Sequence, residues 1–275
     1  MTSTGHGLHD MEAPHRAALA AAADALENPN LAARIADYAG APVNRVLAML
    51  PRIADKGLSK AAEIAMLRCL KTAIRTLDES GQRRPVPWLS SVAAGVTGGV
   101  SGFVGIAALP VELPVTATLM LRAVAAIAKH NGEDLAQIEA RMACLQVFGL
   151  GGRHAGTRGD VGYFAARTML SRMSGSAIAE VVQRGAVQLS TPAAGTLLAE
   201  LASRFSLVVS DRIAASAIPV VGAIGGATIN VIFMSHFQRI AGAHFTVRRL
   251  ERRYGHDMVR RHYTTLAAAS QPGRR

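Results

Sequence analysis

Apolar positions recur with a helical period along most of this chain, and the breaks between periods fall at proline, glycine and asparagine. Ala13–Leu26 is an alanine-rich helix ended by Glu27-Asn28-Pro29-Asn30. Leu31–Tyr38 and Pro42–Leu50 read as two short helices stopped at Gly40 and Pro51. Ser59 can cap the next helix, with Glu63 in its first turn and Ile64, Leu67, Leu70, Ile74 and Leu77 as its buried stripe. Gly81–Pro87 is a basic breaker. Residues 13–84 therefore read as a helical, water-facing part, preceded by a polar leader over residues 1–12.

The pattern then changes. From Pro85 to Leu121 the only charge is Glu112, and Gly95, Gly98, Gly102 and Gly105 follow spacings of three, four and three. A helix over Trp88–Leu109 would carry these glycines on one face. Each costs about 1 kcal/mol against alanine in a helix, so the seam calls for close packing against a second helix. Small-residue seams join helices inside lipid, where apolar burial alone cannot drive association. Pro110 and Pro114 break this helix and start the next, Val115–His130, with Pro114 in the first turn. Asp134–Gly149 follows, then a glycine- and arginine-rich loop to Gly162. Tyr163–Leu189 and Thr191–Ser203 are further helices, while Phe205–Val209 is ambiguous between helix and strand.

A second uncharged stretch, Ile213–Ser235, is bounded by Arg212 and His236 and places Gly222, Gly226 and Asn230 four apart. His236–Tyr254 is then an amphipathic basic helix stopped at Gly255. The predicted fold is all-α, with one domain over residues 13–265. It is a multi-helix domain with two glycine-rich apolar helical hairpins in its core over residues 85–265, followed by a disordered basic tail at 266–275.

About 20 apolar residues cross a bilayer, so both uncharged stretches are long enough. Val86–Val111 holds ten Val, Leu, Ile or Phe residues. At the centre of a bilayer they contribute roughly −3 to −6 kcal/mol, which its Gly, Ser, Thr and Pro mostly offset. Such a near-neutral helix suits a hairpin shared between protein and membrane better than an independent span.

Composition sharpens this picture. Half of the residues are hydrophobic and 18% are charged, below the usual quarter, which calls for a large core or a membrane contact. Of the net charge of +11, residues 213–275 carry nine Lys and Arg against two acids. The cluster Arg248, Arg249, Arg252 and Arg253 reads as a membrane-surface basic helix on anionic lipid, at about 1 kcal/mol per residue. Nucleic acid is the competing reading of a basic stripe and is set aside, because this one adjoins an apolar run. The positive-inside rule puts this segment, and Arg83 and Arg84, in the cytoplasm. Cys69 and Cys144 lack CxxC spacing and imply no disulfide framework. The N-terminus has no signal-peptide pattern.

Candidate chemistry is sparse. Glu112 is an ionisable residue in an apolar run, functional by default if inside lipid; at a helix start it is also favoured by the dipole. Arg122 is its expected partner, and the two make a candidate functional polar pair. Asn230 can bridge helices by hydrogen bonds. Gly149–Gly159 lacks the Gly-Lys-Ser/Thr of a phosphate loop. No HExxH, GxSxG or GxGxxG motif is present, so no catalytic residue, metal or cofactor is assigned.

Several ordered motifs together resemble the EcsC family of bacteria. They are Gly98–Gly105, Leu109–Thr116, Leu119–Arg122, His130–Asp134 and Cys144–Phe148, with Gly222–Asn230 and Phe245–Tyr254 beyond. The resemblance implies a hydrophobic, mainly helical protein from an operon neighbourhood that includes an ABC transporter, and it assigns no catalytic residues. The expected function is a membrane-associated accessory or lipid-contacting protein on the cytoplasmic face of the bacterial membrane. Its partners would be anionic lipid and a membrane protein such as an ABC transporter. The competing readings are a soluble helical protein binding a hydrophobic ligand or partner, and a membrane-surface hydrolase using Glu112.

Overall fold

The structure, a computed structural model, describes residues 11–29, 31, 34, 54–75, 109–152, 162–184, 191–216 and 226–269. Among these residues there are eight helices and no strand, so the fold is all-α. They are α1 (Ala13–Glu27), α2 (Ala54–Arg75), α3 (Leu109–His130), α4 (Ile138–Leu150), α5 (Gly162–Arg184), α6 (Pro192–Ser216), α7 (Gly226–Tyr254) and α8 (His256–Ala269).

The short helix α4 is the centre. Every residue from Ala140 to Leu150 is buried, the state expected of a helix that is apolar all round. It is enclosed by α2, α3, α5, α6 and α7, while α1 packs on α7 and α8. Met142, Cys144, Leu145, Val147 and Phe148 join residues of all the other helices in one hydrophobic core. The water-facing part expected before residue 84 is not separate. Leu58, Ala61, Ala62, Ala65, Met66, Cys69 and Leu70 of α2 belong to that core, against α3 and α6.

Local chemistry sets the junctions. Asn131-Gly132 ends α3 with Gly132 at φ +79°, and the Glu133 N–H reaches back to the Ala128 carbonyl at 3.0 Å. This is the left-handed helix stop that glycine permits. Asp134 then accepts from the Ala136 N–H at 2.9 Å, a turn that delays α4 to Ile138 instead of the expected Asp134. The buried Arg141 closes the corner by donating to the Leu135, Ala136 and Ala73 carbonyls, the last near the end of α2.

Several boundaries differ from expectation. Helix α2 begins at Ala54, so Ser59 lies inside it. Helix α3 runs from Leu109 with Pro114 inside; this near the helix start, few backbone bonds are lost. Phe205–Val209 is helical, because α6 continues to Ser216. The end of the second uncharged run and the basic helix are one rod, α7. Residues 266–269, placed in the tail, belong to α8, which buries Val259, Tyr263 and Ala267. Met11, placed in the leader, is buried.

Most of the two uncharged runs, including Gly95, Gly98, Gly102, Gly105 and Gly222, lies outside the described residues. Gly226 is the first residue of α7, with Asn230 a turn later. One described stretch, Pro192–Ile213, is long and apolar enough to cross a membrane, and 39% of its most apolar window is buried. Its Leu197, Leu201, Phe205 and Val209 are core residues, and Arg204 pairs with Glu200 on its side. It serves as a core helix of this bundle.

Candidate functional site

Two polar assemblies stand at opposite ends of α7. The first closes the end where the described chain meets both uncharged runs. Glu112, in the first turn of α3, forms an ion pair with Arg212 near the end of α6. The Arg212 guanidinium carbon also stands 5.3 Å from the ring centroid of Phe233, two turns into α7. One cation thus ties together the start of α3, the end of α6 and the start of α7. Beneath it lie the interlocked rings of Phe148, Phe205, Phe233 and Phe237, with centroids 5.3–6.3 Å apart.

Next along α7, Ser235 Oγ accepts from Arg34 at 3.5 Å, and His236 Nε2 donates to the Gly151 carbonyl at 2.7 Å. Burial pushes the His236 imidazole down to about 4, so the ring is neutral. Asn230 Oδ1 is buried without a hydrogen-bond partner among the described residues.

The expected pairing of Glu112 with Arg122 is not what forms. Arg122 lies ten residues further along the same helix, about 15 Å at 1.5 Å per residue, and it is exposed. The partner that sequence reasoning missed, Arg212, is the charge that borders the second uncharged run. The carboxylate of Glu112 is engaged by a guanidinium, an arrangement that anchors helices and offers no acid–base pair.

The second assembly lies at the far end. Glu133 is held by the stop of α3. Arg248 of α7 donates Nε to its Oε1 at 2.8 Å and Nη2 to its Oε2 at 2.9 Å. Arg252 also bonds Glu133, and its Nη2 donates to the Asn131 carbonyl at 2.6 Å. Burial by itself would raise the Glu133 carboxyl, but the hydrogen bonds and charges of Arg248 and Arg252 outweigh it and hold it below the ordinary carboxylate range.

Three of the four arginines expected at a membrane surface form ion pairs within the bundle. Arg248 and Arg252 are committed to Glu133, and Arg253 donates to Glu12 at 2.7 Å. Arg249 alone of the four has an exposed side chain without an ion pair among the described residues. The apolar face of the helix, Phe237, Ile240, Ala241, Val247 and Leu250, is buried in the core. Arg252 also stands about 33 Å from Asn230 along α7.

Between the ends, a buried network wires α1, α5, α7 and α8. Arg167 donates to both Glu251 oxygens at 2.8 and 2.7 Å. The Tyr163 hydroxyl meets His244 Nδ1 at 2.9 Å. Glu27 accepts from the Tyr263 hydroxyl at 2.9 Å and from the Tyr163 N–H at 3.2 Å. Burial drives the phenol of Tyr163 up to about 12 and the imidazole of His244 well down, with Arg167 and Arg248 adding to the latter. Tyr163 and His244 are thus held neutral without solvent access, which suits architecture. No sequence spacing had marked them. Cys69 and Cys144 are buried and free, with burial pushing both thiols up to about 12, so they are inert. Among the described residues no three His, Cys, Asp or Glu side chains are grouped to hold a metal.

Residues 29–250 match the model of the EcsC protein family. The chain belongs to the EcsC family. No curated protein and no solved structure matches it. The EcsC segment contains both ion-pair assemblies as far as Arg248, and it ends before Arg252 and α8. Helix α1 and helix α8 therefore flank the EcsC segment, and they are joined to each other through Glu27 and Tyr263.

Proposed function

We propose that this EcsC protein is a membrane-associated accessory protein. It would meet lipid on the cytoplasmic face of the bacterial membrane, through the bundle end closed by Glu112 and Arg212. The observation that carries this reading is the convergence at that pair. The first residues of α3, the last of α6 and the first turns of α7 adjoin the two uncharged runs, and Arg212 joins all three. The described ends of both runs therefore meet at one end of the bundle, which supports insertion from one face.

Two further features support it. The lone charges that interrupt or border the runs neutralise each other, which lowers the penalty of about 2.5–3.5 kcal/mol for an unpaired charge at a bilayer centre. Among the described residues, three of the five exposed large apolar side chains, Val115, Leu207 and Val231, lie on the segments that lead to this end. The sidedness follows from Arg83 and Arg84 beside the first run.

Fractionation tests the proposal. The protein is expected in the membrane fraction after high-salt and carbonate washes. Recovery as a monodisperse, detergent-free species that does not float with vesicles would overturn it in favour of a soluble binder of a hydrophobic ligand.

A further inference from the structure

A groove between α5 and the start of α8 has no part in the membrane reading. It is an open groove of about 360 Å³ lined by Phe164, Arg167, Thr168, Ser171, Arg172 and His256. The five α5 residues recur at i, i+3, i+4, i+7 and i+8, so a single helix face makes one wall. Arg260 of α8 stands beside the groove, its guanidinium carbon 5.9 Å from the ring centroid of Phe164.

The charges here are unevenly matched. Glu251 takes Arg167 in a bidentate pair and also bonds His256 Nδ1 at 2.9 Å. Arg172 and Arg260 have no ion pair among the described residues, although Asp257 stands in the first turn of α8. Thr168 and Ser171 lie on the same α5 wall as Arg172, and both residues are exposed. The groove also opens at His256, the first residue of α8, where the helix dipole is positive. Planar guanidinium groups pair with the oxygens of a phosphate through two parallel hydrogen bonds, a match that a carboxylate-free pair of arginines leaves open.

We propose that this groove binds a phosphate-bearing ligand, with Arg172 and Arg260 as its cationic walls and Thr168 and Ser171 as hydroxyl donors. A soluble phosphate ester and a lipid headgroup share this chemistry. Glu251, which bonds Arg167 and His256 of the groove, is about 27 Å along α7 from Phe233, so headgroups at the Glu112 end are out of reach and a soluble ligand is expected.

The test uses the full chain in two arms. In equilibrium dialysis with pyrophosphate, which contains no lipid and is independent of the membrane reading, wild type should bind. The double variant Arg172→Gln/Arg260→Gln should bind at least tenfold more weakly. Ser171→Glu, which places a carboxylate in the groove, should lose binding to the same degree. Both changes are at exposed positions, and unchanged melting curves would show that the fold is intact. In the second arm, flotation compares vesicles of phosphatidylcholine with and without phosphatidic acid. A double-variant defect confined to phosphatidic acid vesicles would keep the site and assign it to a headgroup. Absence of pyrophosphate and phosphatidic acid binding, or equal binding by wild type and both variants, would overturn the proposal.

Discussion

Glu112 and Arg212, a hundred residues apart in sequence, form one ion pair. With side chains 30% and 11% exposed, each shields the other from an apolar setting. Removing either side chain takes an ion-pair partner from the other, so Glu112→Gln and Arg212→Gln should each destabilise by about 2 kcal/mol, discounted for partial exposure. The double variant should lose less than the sum, with a coupling of about 1 kcal/mol in a denaturation cycle. Additive losses would show that the two residues act separately.

At the opposite end, Glu133 holds two arginines with a side chain only 5% exposed. Glu133→Gln should cost about 2–3 kcal/mol, since both guanidinium groups lose a charged acceptor. Arg248→Gln/Arg252→Gln should also destabilise, while leaving flotation on anionic vesicles close to wild type. A selective loss of vesicle binding at normal stability would restore the surface-helix reading of these arginines.

Acid should unfold the protein earlier than carboxylates alone would cause. His236 has a folded-state value near 4, against about 6.5 when unfolded. As pH falls through 6.5 the unfolded state takes up a proton that the native state refuses, so stability is lost between about 6.5 and 4 at about 1.4 kcal/mol per pH unit. His244 shifts in the same direction and adds to the slope. Glu133, held low, loses its contribution only below the ordinary carboxylate range. His236→Gln should flatten the dependence from pH 6.5 to 4 by one proton's worth, as read from urea midpoints across that range.

Two glycines of opposite environment give a packing test. A Cβ at Gly151 would sit 2.6 Å from Phe237 Cε1, with the rest of a buried ring behind it. Gly151→Ala should therefore destabilise by about 1–3 kcal/mol through overpacking. Gly242, inside α7, has nothing within 4 Å of an added Cβ, so Gly242→Ala should stabilise by about 0.5–1 kcal/mol. Thermal melts of the two variants should move in opposite directions.

Helix type was legible wherever apolar period and breakers agreed, as in α1 and at the Gly255 stop of α7. Helix α8 was missed although Val259, Tyr263 and Leu266 repeat at helical spacing, because His256, Asp257, Arg260, Arg261 and His262 mask that apolar stripe with charge. Phe205–Val209 looked ambiguous because a short apolar run fits either period. The glycine spacing gave no register for pairing across the chain. Which arginine meets Glu112 depends on how α6 stacks against α3, and nothing local to either segment encodes that. The pairing of Arg248 and Arg252 was hidden for the same reason: their countercharge, Glu133, is supplied by a distant helix stop.

The most direct test of lipid contact at the Glu112 end uses the single tryptophan, Trp88, which lies in the first uncharged run. The full chain is mixed with vesicles containing lipids brominated along the acyl chain, and tryptophan emission is recorded. In parallel, a fluorophore is attached at Arg252→Cys, where Cys69 and Cys144 are buried and unreactive. The account predicts strong quenching of Trp88 and none of the probe at position 252. Unquenched Trp88 emission on vesicles, or quenching only at position 252, would contradict it.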